Sequence, residues 1–477
     1  MKRSVIILIT AISSATVSWG DTIHFLNSGP STTLGPVSNA KIASSGRFNP
    51  ALTVNNTSFP QALLDVGVNV QLQGLGEFNS VLEDMSDRID EISITFEGFG
   101  DGNASVGNVL ADINTLETSF DQGIERLADN FYIKPGVVFS VPLTPWSVNT
   151  NRFGTYTIGI SSLTQARASI LHGDISFDID TQAITDTNDS DEDLDPLDFM
   201  RTTSSLYLKQ AQIWNADLSW SRELPQIDFL SRVGVDAVGG LRATLIAYNL
   251  QKNLYPIKDI ARQALDSPDA LSEDLRDDVL SGFSDFNYNV SLDAGITLRR
   301  DNTLLGITLY NLNNPELSYK ELGGNCAAIA DTDDQSDCFH AEHFASVGDI
   351  ALQESHRLSP SMTVDISHSF LDNRIALAGA IDLWRKTDLF GDQSQKLNLG
   401  LVLQPNAWYW PRLRLGFGKD LVDPDPTQLG LGLSLFNFLQ LDTQMTAVLG
   451  DLSSEDLTIS GNALRSLSAS ASINLAF

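Results

Sequence analysis

The sequence predicts an all-β protein: a transmembrane antiparallel β-barrel of about fourteen strands, with an N-terminal plug segment and helical loop insertions. Three observations carry this. The C-terminal half alternates apolar and polar residues with period two over long runs. Beyond residue 20 no apolar run approaches the ~18 residues that a spanning helix needs. The chain opens on an export signal.

That signal is residues 1–20. Lys2 and Arg3 precede the apolar run from Val5 to Ile12, and small residues follow up to Gly20, so cleavage is expected between Gly20 and Asp21. Residues 21–64 then form the plug or lumen segment and residues 65–477 the barrel. Helical insertions are expected near 78–131 and 257–283. In the first, Phe78, Val81, Leu82, Met85, Ile89 and Ile92 recur at helical spacing, as do Val106, Leu110, Ile113, Leu116, Phe120, Ile124 and Leu127. In the second, Leu271, Leu275, Val279 and Leu280 share a face. Helices have no place in a barrel wall, so these stretches read as caps over its mouth.

The wall strands follow. Val290, Leu292, Ala294, Ile296 and Leu298 alternate with polar or small residues. Rows Leu397–Leu403, 413–417, 429–435 and 439–447 repeat the pattern, and Leu467, Ala469, Ala471, Ile473, Leu475 and Phe477 close it. The opposite face carries Gly, Ser and Ala, so the apolar rows face lipid and the small residues face the lumen. Leu371-Asp372-Asn373, Asn406-Ala407-Trp408 and Asp423-Pro424-Asp425-Pro426 are the breaks between strands. Trp146, Trp214, Trp220, Trp384 and Trp408-Tyr409-Trp410 fall near strand ends, where interfacial girdles belong.

Composition narrows the function. Thirty Lys and Arg against 60 Asp and Glu give a net charge of -30. Nucleic acid is excluded as a partner, because holding phosphates needs clustered cations. Cys326 and Cys338 are close in sequence and, in an exported chain, read as a disulfide. The alternative of a metal held by Cys338, His340 and His343 is the weaker reading. The acidic tracts 186–195 and 331–334 read as solvated loops. No catalytic set, metal site or cofactor motif is recognised.

Near the mature N-terminus stands Ser44-Ser45-Gly46-Arg47-Phe48-Asn49-Pro50-Ala51. It resembles the N-terminal signature of long-chain fatty-acid transporter (FadL-like) barrels, and more closely that of the conjugal transfer TraF-like family. Asp388-Leu389-Phe390-Gly391-Asp392, with the residues through Gly400, and the stretch from Gly306 to Glu316 are similar to further family segments. The resemblance implies an outer-membrane barrel of a Gram-negative cell. Gly46, Phe48, Asn49 and Pro50 would lie at or within the lumen as plug or ligand-gating positions. Two roles are expected from it: a structural or accessory component of a surface or transfer apparatus, or a barrel that binds or passes a hydrophobic solute. Its partners would be outer-membrane lipid, that solute, and cell-surface or transfer-apparatus proteins. If a solute is carried, the apolar helix faces of 78–131 should line a pocket near Phe48 and Pro50.

Overall fold

The computed structural model describes residues 28–37, 48–55, 61–74, 77, 80–81, 84, 87–88, 91, 94, 106–150, 152–178, 200–225, 228–260, 285–330, 332–405, 409–436, 438–448 and 464–476. The expected export signal 1–20, Gly46, the tract 186–195 and most of 257–283 lie outside them.

Fourteen antiparallel strands close into a ring. They are β1 (Gln61–Gln73), β2 (Tyr132–Thr144), β3 (Gly154–Leu171), β4 (Ser205–Glu223), β5 (Asp236–Pro256), β6 (Asn287–Arg300) and β7 (Thr303–Tyr310). Then come β8 (Ser361–Phe370), β9 (Ile375–Asp382), β10 (Lys396–Leu403), β11 (Arg412–Asp420), β12 (Pro426–Leu435), β13 (Leu439–Val448) and β14 (Leu464–Ala476). Each pairs with its neighbours in sequence, and β1 pairs with β14. A short extension of β2, Trp146–Thr150, also pairs with β3. Closure leaves no long edge of unpaired amides, which a bilayer would not tolerate.

The period-two pattern sets the facing. On β14 Leu467 is 54% exposed while Ser468, Ser470 and Ser472 are buried against the interior. The same holds at Leu399, Leu415, Leu429, Leu431 and Leu441, all turned outward. On β6 the outward row runs from Tyr288 to Leu298. At about 3.3 Å per residue and a tilt near 40° that row is about 25 Å tall, the height of a barrel's lipid belt. Trp146, Phe153, Tyr156, Phe370, Tyr409, Trp410, Phe436 and Phe438 are exposed toward one rim, and Trp214 and Tyr288 toward the other.

The short turns lie at the first rim. At Leu371, Asp372 and Asn373 all three φ angles are positive (49°, 54° and 68°), a tight reversal that Asp and Asn tolerate. The long loops lie at the other rim. They carry α2 (Val106–Asn130) and α3 (Thr332–Val347). α1 (Pro30–Leu34) sits inside the ring.

Three sequence expectations shift. The wall begins at Gln61, inside the stretch assigned to the plug, because alternation is hard to see where Leu63 and Leu64 adjoin. The first helical insertion ends at Asn130, since Phe131 already leads into β2. The acidic tract 331–334, read as a solvated loop, enters the helix α3 at Thr332.

Candidate functional site: the plugged lumen

The lumen is filled in layers from the turn rim to the loop rim. The first layer is the N-terminal segment, held in two beds on opposite sides of the ring. α1 lies on β10 to β14, and the turn Pro50–Asn55 lies on β3 to β6.

Lumen-facing glycines make both beds. Gly400, Gly416 and Gly430 stand opposite one another on β10, β11 and β12. A Cβ on Gly416 would fall 1.6 Å from the Thr33 carbonyl oxygen, and one on Gly400 would fall 2.6 Å from the Leu34 side chain. Gly240 and Gly295 pair across β5 and β6. A Cβ there would meet the Pro50–Ala51 backbone at 2.4 Å and the Asn49 Oδ1 at 2.1 Å. The missing side chains are therefore the space in which the plug lies.

Polar groups fix it there. The Thr33 hydroxyl donates to Asp442 (2.6 Å), which also accepts from the Arg414 guanidinium at 2.8 and 2.9 Å. Ser28 donates to Asp65 at 2.6 Å, and Thr32 and Ser470 share a hydrogen bond of 2.9 Å. In the second bed Asn49 is fully buried; its Oδ1 accepts from the Ala51 amide and its Nδ2 donates to the Ile296 carbonyl. The Phe48 carbonyl accepts from the Tyr310 hydroxyl at 2.7 Å. Phe48, Asn49 and Pro50 are thus brought together inside the barrel.

The second layer is apolar. Leu163, Ala211, Ile213, Ile246 and Leu250 turn inward from β3, β4 and β5. Leu317, Tyr319, Leu358, Leu389 and Phe390 reach them from two loops. Full burial of Leu389 and Phe390 contributes about 1.5–3 kcal/mol each. The two loops are tied by the Tyr319 hydroxyl, which donates to the Leu389 carbonyl at 2.6 Å. Burial holds the Tyr319 phenol well above its usual pKa.

The third layer is ionic. Lys134 and Arg167 face inward from β2 and β3 and bind Asp388 and Asp392 of the hairpin 383–395. Burial alone would raise the Asp392 carboxyl; the charges of Lys134 and Arg167 outweigh it and hold the group below its usual range. Lys209 donates to Glu354 at 2.6 Å.

The outermost layer is α3, whose Ala341 and Phe344 pack on Tyr207 and Leu254 of the lumen face, while α2 lies on the other face of the wall. The apolar face of α2 (Ile113, Leu116, Phe120, Ile124 and Leu127) packs on Val81, Ile170, Ile175 and Met200. This corrects the expectation of a pocket near Phe48 and Pro50: the helix face is consumed at the loop rim on Ile170 of β3, which points away from the lumen face that carries Leu163 and Arg167. Cys326 and Cys338 form the disulfide, tying a short turn to α3 and removing the metal alternative. His340 on α3 approaches Ser205 at 3.3 Å, and burial lowers its pKa. Ser205 is fully buried and donates to the Thr203 carbonyl.

Fold, lipid belt and filled lumen define the class: a membrane-spanning β-barrel closed by its own N-terminal segment and loops. Residues 47–382 match the family described as F plasmid transfer operon, TraF, protein, and the chain belongs to that family. No curated protein matches it. Among solved structures it is similar to the TodX deltaS2S3 mutant monoaromatic hydrocarbon channel (12% identity, 94% of this chain and 98% of that one, TM-score 0.44). It is also similar to the P. putida toluene transporter TodX (12%, 94% and 99%, TM-score 0.34). A third is the outer membrane phospholipase A from Escherichia coli (9%, 90% and 97%, TM-score 0.26). At such overlaps these likenesses say nothing about what this chain carries.

Sequence reasoning missed the α1 bed, the apolar layer and the inward cations. The signal for the first was present: Gly416, Gly430 and Gly432 break the small-residue face at positions where Ser or Ala would serve the strand better.

Proposed function

We infer that the chain is an outer-membrane barrel that binds and passes a small hydrophobic solute, held here with its passage closed. The observation that carries this is the apolar layer. A barrel that only needed sealing could be filled with polar groups, as its turn-side half is. Instead three adjacent strands turn Leu163, Ala211, Ile213, Ile246 and Leu250 inward, and Leu389 and Phe390 of a hairpin occupy the space against them. Those two side chains have the chemistry of the solute they would exclude. The exposed lipid belt and the export signal support the outer membrane as location.

The probe is a series of n-alkanols from butanol to dodecanol, titrated against the purified protein. Affinity should tighten by about 0.8 kcal/mol per CH₂, close to fourfold per carbon. Ala211→Asp, which puts a carboxylate in the layer, should abolish the trend. Affinity that does not change with chain length would retire the reading.

The second reading is a structural part of a surface or transfer apparatus. It is favoured by the family description and by α2, which spends its apolar face on the protein itself. Under it, the alkanols would not bind.

A further inference from the structure

A row of cations crosses the lumen face of four consecutive strands. Arg167 on β3 stands directly opposite Lys209 on β4, and Lys209 directly opposite Lys252 on β5. Lys134 on β2 extends the row, since its neighbour Ile133 pairs with Ala168. Like charges in opposite positions destabilise a sheet. The chain has half as many cations as carboxylates, so setting four of them side by side demands an explanation.

The partners supply one. Elsewhere in the lumen, two buried arginines pair from strand to strand: Arg242 on β5 with Asp293 on β6, and Arg414 on β11 with Asp442 on β13. Such pairs come apart only if the wall does. The cations of the row are met from loops. Lys134 takes Asp388 and, at 3.0 Å, Asp392; Arg167 takes Asp392 at 2.5 Å. Lys209 takes Glu354 at 2.6 Å, and Lys252 donates to the carbonyls of Ala351 and Leu352 at 2.6 and 3.0 Å. Strand-to-loop pairs can separate while the wall stays whole.

Topology sharpens the point. Hairpin 383–395 leaves the wall between β9 and β10, and in the ring of fourteen β9 stands seven strands from β2. It therefore crosses the full width of the lumen to reach Lys134 and Arg167. Its tip carries Leu389 and Phe390 into the apolar layer, with the Phe390 ring 5.2 Å from the Lys134 ammonium.

We propose that this hairpin is the gate of the lumen, latched by ion pairs between Asp388 and Asp392 on the hairpin and Lys134 and Arg167 on the far wall. The gate rests on the reading of the lumen as a passage. When the carboxylates leave, Leu389 and Phe390 withdraw with them. The inward faces of Leu163, Ala211 and Ile213 then lose the cover of Leu389 and Phe390, beside a cationic row.

The test is thiol accessibility. Ala211 is 1% exposed and lies under the hairpin, and the two native cysteines are bonded to each other, so Ala211→Cys gives a single reactive thiol. A membrane-impermeant maleimide is reacted with the full-length protein in liposomes, and unboiled gel migration reports an intact wall. Adding Asp388→Asn and Asp392→Asn should accelerate labelling by about tenfold or more, the equivalent of one charge-assisted hydrogen bond lost. Asp392→Asn alone, a milder change, should fall between. Glu316→Gln, which breaks an exposed pair with Arg357 outside the lumen, should leave the rate unchanged. Labelling that neither Asp variant accelerates would make the hairpin a fixed plug and overturn the gate. Acceleration without alkanol binding would keep the gate and remove the hydrophobic solute; alkanol binding without acceleration would keep the solute and remove the gate.

Discussion

Gly416→Ala should release α1 from the wall. The added Cβ would fall 1.6 Å from the Thr33 carbonyl oxygen, and the obstacle is backbone, which cannot rotate aside. Ordinary contact needs about 3.4 Å or more, so α1 must lift by nearly 2 Å. A shift of that size breaks the Thr33–Asp442 hydrogen bond, worth about 1.5–3 kcal/mol because its acceptor is charged. It also breaks the Thr32–Ser470 bond, worth about 1 kcal/mol. The loss is about 3 kcal/mol, which makes opening of the segment on the order of a hundredfold more frequent. Amide hydrogen exchange of residues 28–37, read by mass spectrometry, measures this opening. The wall should keep its protection, because its own ladder is untouched. Gly379→Ala is the control: the nearest atom there is the flexible end of Leu399 at 3.3 Å. Equal protection of residues 28–37 in Gly416→Ala and the parent would refute the idea that the glycine row exists to seat the plug.

Two further outcomes are expected. Leu431→Arg puts a charge on the lipid belt, where Leu431 is 53% exposed, and should cost about 2–4 kcal/mol in unfolding from bilayers; an unchanged midpoint would contradict the outward facing. Replacing Cys326 and Cys338 together by Ser should cost about 2–4 kcal/mol of stability, by the loop-closure argument, and confine the effect to the loop that carries α3. Protease sensitivity within 320–350 should rise while unboiled gel migration stays that of a closed barrel.

The wall was legible because one periodicity decides it. Each strand from β10 to β14 can be read from its Leu rows, as lipid and lumen impose opposite chemistry on alternate residues. The lumen was far less legible. Asn49 and Pro50 could be placed inside by resemblance, but nothing local says that Asn49 meets Gly295 on a strand hundreds of residues away. The long inward strands β3, β4 and β5 also carry apolar residues on their lumen face, so their alternation is blurred at Leu163, Ala211 and Ile213. Ser470 shows the limit of facing alone. Its polarity places it inward, but does not reveal that it is pressed there against Thr32 and the Gly29 carbonyl. Pairs such as Arg167 with Asp392 arise from loop geometry, which leaves no period to read.

The seat of α1 bears on how the molecule is put together. The segment that starts at Ser28 is made before any strand, yet the surface that receives it is built from β10 to β14, the last strands to arrive. It has no seat until those five strands stand in register. Its contacts are among the most sequence-distant in the chain, and forming them carries the entropy of closing a loop of several hundred residues. The ring of strands already surrounding the lumen removes most of that entropy. Seating the plug therefore reports completion of that side of the wall: only a barrel with β10 to β14 in register offers the glycine trench into which Thr33 and Leu34 fit.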